Sequence, residues 1–276
     1  MTDAWVDDDL PYPAIGVSGW LRVVLRGSLL GVVTFGGLGV LLLVRLIERP
    51  LFGATRPFTP HITQFVCRAS FWIMGICLRI HGKPMVQRGA VVANHASWLD
   101  IFALNAAQRV YFVSKSEVEH WPGIGWLARA TGTVFIARKT ADAKRQQSIF
   151  ETRLRAGHRL LFFPEGTSTD TLRVLPFKPT LFAAFYTHGM EHVMHIQPTS
   201  LIYHPPKGAD ARFYGWWGDM DFVSHLKMVL AAARQGSVDV ILHDPLAVHD
   251  FPNRKALSAA CEAVIRTSHQ MQMLRI

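Results

Sequence analysis

The sequence predicts an α/β domain carried behind a helical membrane anchor, and three observations predict it. From Gly82 onward, short runs rich in β-branched and aromatic residues alternate with stretches of helical spacing. Ahead of them, Gly27 to Val44 is an uncharged run of eighteen residues, close to the lower limit for crossing a bilayer core. The chain has 276 residues, 50% of them hydrophobic, which suits one substantial core plus an appendage and is too apolar for a disordered chain.

Taken in order, residues 1–20 read as a loosely held tail, with Asp3, Asp7, Asp8 and Asp9 followed by Pro11 and Pro13. That acidic start and the late apolar run argue for an anchor and against a cleaved secretory signal. Residues 21–81 form the anchoring segment. Within it, Ala69 to Leu78 is too short to span alone and is expected to pair with the first run as a re-entrant hairpin, with Arg45, Arg49 and Arg56 between them. Arg22 and Arg26 flank one end of the apolar run and Arg45 and Arg49 the other, so charge gives no decisive orientation.

Residues 82–276 form the α/β domain. Strands are expected at Ala90 to Ala93, Val110 to Val113, Thr133 to Ile136, Arg159 to Phe163, His195 to Tyr203 and Val238 to Leu242. Helical spacing marks Asp100 to Ala107, Ile124 to Ala130, Ala141 to Ala156, Lys178 to Tyr186, Phe222 to Ala233 and Arg254 to Met273.

A net charge of +9 favours an anionic partner. No zinc-finger spacing, aromatic RNA-binding signature or basic heptad array is present, which places the membrane well ahead of nucleic acid. Cys67, Cys77 and Cys261 have no framework spacing, and point to a reducing, cytosol-facing environment.

The chemistry lies in Asn94-His95-Ala96-Ser97-Trp98-Leu99-Asp100. Positions five apart on an ideal helix diverge by roughly 140°, so His95 and Asp100 meet only across a turn. With His95 in the loop after a strand and Asp100 in the first turn of the next helix, the carboxylate fixes the imidazole's tautomer. The ring then serves as a general base for an alcohol. Ser97 is expected to cap that helix, and a backbone N–H near the helix start to hold an oxyanion.

Two further blocks accompany this one: Gly132-Thr133-Val134-Phe135-Ile136-Ala137-Arg138 and Phe163-Pro164-Glu165-Gly166-Thr167. Together the three resemble the glycerolipid acyltransferase family, whose members acylate lysophosphatidic acid, over roughly Val91 to Pro245. The resemblance implies a mixed central sheet flanked by helices, an acyl carrier protein or coenzyme A thioester as donor, a lysolipid as acceptor, and no cofactor or metal. It also implies residence at the inner (cytoplasmic) membrane with the catalytic domain facing the cytoplasm. His95 and Asp100 would be catalytic; Arg138, Glu165, Gly166, Thr167, Ser168 and Asp170 would bind the acceptor.

The family's third block usually continues with an arginine where this chain has Ser168. A serine offers neither the charge nor the fork that grips a phosphate. Ser168-Thr169-Asp170 suits an acceptor bearing an ammonium, and both this block and Trp217-Gly218-Asp219-Met220 resemble the bacterial lyso-ornithine lipid acyltransferases. Asp170 as a solvated turn carboxylate is the competing reading. Arg138 keeps lysophosphatidic acid open as acceptor, alone or as a second one.

Arg138, Lys139, Lys144 and Arg145 form either a docking patch or a solvated face. Trp121, Trp126, Trp216 and Trp217 belong either to a lipid interface or to the core. A rival class is a zinc metallopeptidase, from His188-Gly189-Met190-Glu191-His192 with His195 nearby. Gly189 and the strand-like run that follows weaken it. A catalytically dead scaffold is a second rival, opposed by the intact His95 and Asp100.

Overall fold

The computed structural model describes residues 5–6, 10, 12–136, 143–187 and 189–274. In chain order they form α1 (Val17–Phe52), α2 (Thr59–Met74), β1 (Cys77–His81), β2 (Gly89–Ala93), α3 (Leu99–Ala107), β3 (Tyr111–Lys115) and α4 (Ile124–Thr131). There follow β4 (Val134–Ile136), α5 (Ala143–Arg155), β5 (Leu160–Phe162), β6 (His195–His204), α6 (Phe222–Ala231), β7 (Ser237–Leu242), β8 (Leu246–Ala247) and α7 (Arg254–Met273).

The strands make one sheet in the order β1-β7-β6-β2-β5-β3-β4, with β8 added beside β6. Neighbours from β6 to β4 run parallel, whereas β7 and β8 run antiparallel to β6. The sheet is therefore mixed and flanked by helices, as expected. Its centre is β2, Gly-Ala-Val-Val-Ala, buried along its whole length, which is what a parallel strand covered on both faces requires. Val91 and Ala93 enter one core with Phe71, Leu99, Leu104 and Val229. Ala90 and Val92 enter the other with Phe150, Leu154, Leu257 and Ile265, following the two-residue period of a strand.

Several boundaries differ from the sequence reading. Ala69 to Leu78 is not one apolar unit: α2 stops at Met74, Gly75 takes a left-handed φ of 79°, and Cys77 starts β1, which pairs with β7. The partner of α1 is instead the whole of α2, which approaches so closely that a Cβ on Gly37 would lie 2.4 Å from Val66. Lys178 to Tyr186 begins as a loop, because Pro179 disfavours a helical residue before it, and only Leu181–Tyr186 coils, as a 3-10 turn. The N-terminal stretch is held at two points: Leu10 is buried, and Trp5 packs against the first core.

Helix α1 is 36 residues long and, among the described residues, is the one helix long and apolar enough to cross a membrane. It is fastened near both ends. Arg22 and Arg26 donate to the carbonyls of Leu230, Ala231 and Ala232 at the C-terminal end of α6, where unpaired carbonyls favour cations. Buried Glu48 accepts from the Phe58 and Thr59 amides and the Thr59 hydroxyl, capping the start of α2. Between these fastenings Leu29, Val32 and Leu43 are exposed, as are Trp72 on α2 and Trp126 on α4.

Candidate active site

Open α/β sheets gather their sites beyond the carboxyl ends of parallel strands, and β2 ends at Ala93, two residues before His95. Asn94 makes the exit: its side chain accepts from the Leu201 amide at 2.8 Å and donates to the Leu201 carbonyl at 2.9 Å. One side chain thus replaces a rung of backbone pairing with β6 after β2 has stopped. The chain then turns into α3, whose second residue is Asp100.

His95 Nδ1 lies 2.7 Å from Asp100 Oδ2. An ionised carboxylate only accepts, so Nδ1 carries the proton and Nε2 of the neutral ring keeps its lone pair. Oδ2 also accepts from the amides of Ala96 (2.7 Å) and Ser97 (3.0 Å). Oδ1 accepts from the hydroxyl of Tyr203 at 2.6 Å. The Asp100 side chain is wholly buried and that of His95 is 20% exposed, so the carboxylate is sealed behind an accessible imidazole. Burial and then the Asp100 charge hold the Tyr203 phenol well above its usual range, which keeps it a donor. Phe163 stacks on the imidazole, centroids 4.0 Å apart and planes within 10°.

Glu165 steadies the same loop from the other side. Its Oε1 accepts from the His95 amide at 2.7 Å and its Oε2 from the Leu175 amide at 2.6 Å. Burial pushes this carboxyl up to about 8, against the Leu175 and His95 amides, which pull it down. The Thr169 amide donates to the His95 carbonyl at 3.0 Å, and the Trp216 amide to that of Ala96 at 2.9 Å. The loop from His95 to Asp100 is therefore clamped by Thr169, just after the Phe163–Thr167 block, and by Trp216, just before Trp217.

A fixed, partly exposed imidazole backed by a buried carboxylate is general-base machinery, and the comparisons specify its setting. The acyltransferase family model matches residues 77–201. A lyso-ornithine lipid O-acyltransferase from Rhodobacter capsulatus is 58% identical over 266 residues, covering 95% of this chain and 96% of its own. The chain belongs to the acyltransferase family. A 1-acyl-sn-glycerol-3-phosphate acyltransferase from Neisseria gonorrhoeae shares 43% identity over 101 residues, 36% of this chain and 39% of its own. The crystal structure of the 1-acyl-sn-glycerophosphate acyltransferase PlsC from Thermotoga maritima superposes with a TM-score of 0.66 at 21% identity, covering 93% of this chain and 97% of that one. It shares the fold.

In this acyltransferase the expected site residues divide. His95, Asp100 and Glu165 converge on one loop. Gly166 follows with φ 78°, and a Cβ there would lie 2.8 Å from Lys178 Nζ. Thr167 is exposed and Ser168 buried. Asp170 is no solvated turn residue: it is 2% exposed and bound to Arg173. Arg138 and Lys139 lie outside the described residues. Trp121 and Trp126 are exposed, whereas Trp217 is buried and Trp216 packs beside it in the core.

Ser97 makes no cap hydrogen bond, and its buried hydroxyl has no partner. The Asp100 amide that a cap hydroxyl would serve goes to the Ser97 carbonyl instead, while the Asp100 side chain takes the Ala96 and Ser97 amides. None of these three amides is therefore free for an oxyanion. In the zinc-peptidase pattern, Gly189 is left-handed and Met190–His192 form a 3-10 turn, which denies it the single helix it needs; His188 lies outside the described residues. Cys261 is wholly buried, and burial pushes its thiol up to about 12.

The reading from sequence missed Tyr203 and Arg173. A buried tyrosine must find a partner for its hydroxyl, but nothing in the strand pattern of β6 names Asp100, 103 positions away.

Proposed function

We propose that this acyltransferase moves a fatty acyl chain from an acyl thioester to the free hydroxyl of a lyso-ornithine lipid, with His95 as base. The carrying observation is the linked set Tyr203, Asp100 and His95. His95 Nε2 takes the hydroxyl proton as the oxygen attacks the thioester carbonyl, and the imidazolium is stabilised by Asp100. Collapse of the tetrahedral intermediate breaks the C–S bond, and the proton passes from His95 to the departing thiolate. Near-full-length similarity to the Rhodobacter capsulatus enzyme supports the acceptor. Glu165 acts as a positioning residue for the His95 main chain.

Lysophosphatidic acid is the second reading, favoured by the identity to the Neisseria gonorrhoeae enzyme across the motif region. The exposed apolar side chains of α1, together with Trp72 and Trp126, suit burial in one leaflet of a membrane. We place that membrane contact at the cytoplasmic face of the inner membrane. There acyl carrier protein and coenzyme A thioesters are both at hand.

The test is a side-by-side assay of purified protein with lyso-ornithine lipid and lysophosphatidic acid, each with an acyl carrier protein and a coenzyme A thioester. Higher kcat/KM on lyso-ornithine lipid supports the proposal. Transfer confined to lysophosphatidic acid, or none to either acceptor, contradicts it.

A further inference from the structure

We infer that Arg173 reads the acceptor's head group by gripping its carboxylate, and that Asp170 is the residue that positions Arg173; this rests on the lyso-ornithine lipid reading. Ornithine joined through its α-amine keeps a carboxylate and a side-chain ammonium, so the head group is zwitterionic and neutral overall. An acidic residue facing the ammonium is what Asp170 promises from sequence. The geometry assigns it another task.

Asp170 Oδ1 accepts from Arg173 Nε at 3.0 Å and from the Leu172 amide at 3.1 Å, and Oδ2 accepts from Arg173 Nη2 at 2.8 Å. Its side chain is 2% exposed against 39% for Arg173, so the guanidinium, and not the carboxylate, meets the solvent. The Trp5 indole covers one face of that guanidinium at 4.8 Å. Arg173 Nη1 is left without a protein partner among the described residues. A planar cation held on one edge and one face, with a free N–H pair, is prepared to accept a carboxylate.

Its position fits the acceptor. The Thr169 hydroxyl lies within hydrogen-bond reach of both the His95 carbonyl (3.2 Å) and the Arg173 carbonyl (3.1 Å). A single hydroxyl therefore joins the base's main chain to the arginine's. The turn between Asp170 and Arg173 runs through Thr171 at φ 72°, a conformation rare for a β-branched residue. Two bonds pin it there: Thr171 Oγ1 donates to the Ala211 carbonyl at 3.3 Å, and buried His269 Nε2 donates to the Thr171 carbonyl at 2.9 Å. Such over-determined strain clusters at functional sites.

Charge then separates the two candidate acceptors. Arg173 and Asp170 are neutral as a unit. A doubly charged phosphate monoester at Arg173 would meet repulsion from Asp170, whereas a carboxylate accompanied by its own ammonium carries no net charge to repel. The guanidinium missing at Ser168 is thus replaced five residues later, in a form suited to a weaker anion.

The experiment compares Arg173→Gln, Arg173→Lys and Asp170→Asn with wild type on lyso-ornithine lipid, on its head-group carboxamide, and on lysophosphatidic acid, with thermal melts for each variant. Losing a charge-assisted pair should raise the KM of Arg173→Gln for lyso-ornithine lipid about tenfold to hundredfold, with kcat and the carboxamide KM within about threefold. Arg173→Lys should fall between. Asp170→Asn, which leaves the cation unneutralised, should shift relative kcat/KM towards lysophosphatidic acid. Equal effects of Arg173→Gln on carboxylate and carboxamide substrates overturn the inference, as does an unchanged acceptor ratio in Asp170→Asn. Wild-type protein active on lysophosphatidic acid but inactive on lyso-ornithine lipid overturns the underlying reading, and this inference with it.

Discussion

The Tyr203 hydroxyl donates to Asp100 Oδ1 at 2.6 Å, on the carboxylate oxygen that His95 does not touch. Four donors converge on this buried carboxylate and fix its orientation. The carboxylate that orients the imidazole is therefore itself held through a residue of β6, in the same core that α3 covers.

Tyr203→Phe removes that donor and leaves a buried carboxylate oxygen short of a partner, an effect of about 1–3 kcal/mol. We expect kcat to fall about tenfold with KM unchanged. Asp100→Asn should be far more severe, because its amide cannot satisfy the donors at both oxygens. Steady-state kinetics on the two variants checks the ranking, and wild-type kcat in Tyr203→Phe would show that its hydroxyl does not tune the His95–Asp100 pair.

Glu165 gives a pH prediction. Burial raises its carboxyl from 4.5 to about 8, so the native protein retains a proton that the unfolded chain releases. Between those values the unfolded chain binds fewer protons, and stability falls as pH rises through the window. Urea melts from pH 5 to 8 should show this slope in wild type and its reduction in Glu165→Gln, which does not titrate. A slope unchanged by the substitution would assign it to another group.

Ser168→Arg restores the phosphate-gripping residue of the related motif. The relative kcat/KM for lysophosphatidic acid over lyso-ornithine lipid should rise about tenfold, the value of one charge-assisted hydrogen bond. An unchanged acceptor ratio refutes the assignment of this position to head-group choice.

Gly166→Ala places a side chain at φ 78° and 2.8 Å from Lys178 Nζ. The lysine end can swing away, so the cost is chiefly the left-handed backbone, about 1–2 kcal/mol. A fall in melting temperature with a displaced Lys178 should be seen by calorimetry and a crystal structure. A neutral effect would show that the turn relaxes.

Much of this was legible in the sequence because it is local. The turn between His95 and Asp100 follows from their spacing, and α7 runs from Arg254 to Met273 as its periodicity predicts. The elements that escaped depend on distant partners. Strand β1 is short and carries Arg79 and His81, and it is held by a paired Arg79–Asp239 contact with both distances 2.8 Å across 160 positions. Asp170 reads as a turn carboxylate because its local residues are turn formers, and only the folded loop buries it beneath Arg173. The Glu165 bond to the His95 amide likewise has no trace in spacing, since a carboxylate that binds main chain looks like one that binds substrate.

The most direct measurement is acyl transfer to lyso-ornithine lipid by His95→Ala, beside a melt of the same protein. The proposal predicts a loss of about a hundredfold to ten-thousandfold with the melting temperature within a few degrees of wild type. A folded His95→Ala protein that keeps wild-type turnover would contradict it.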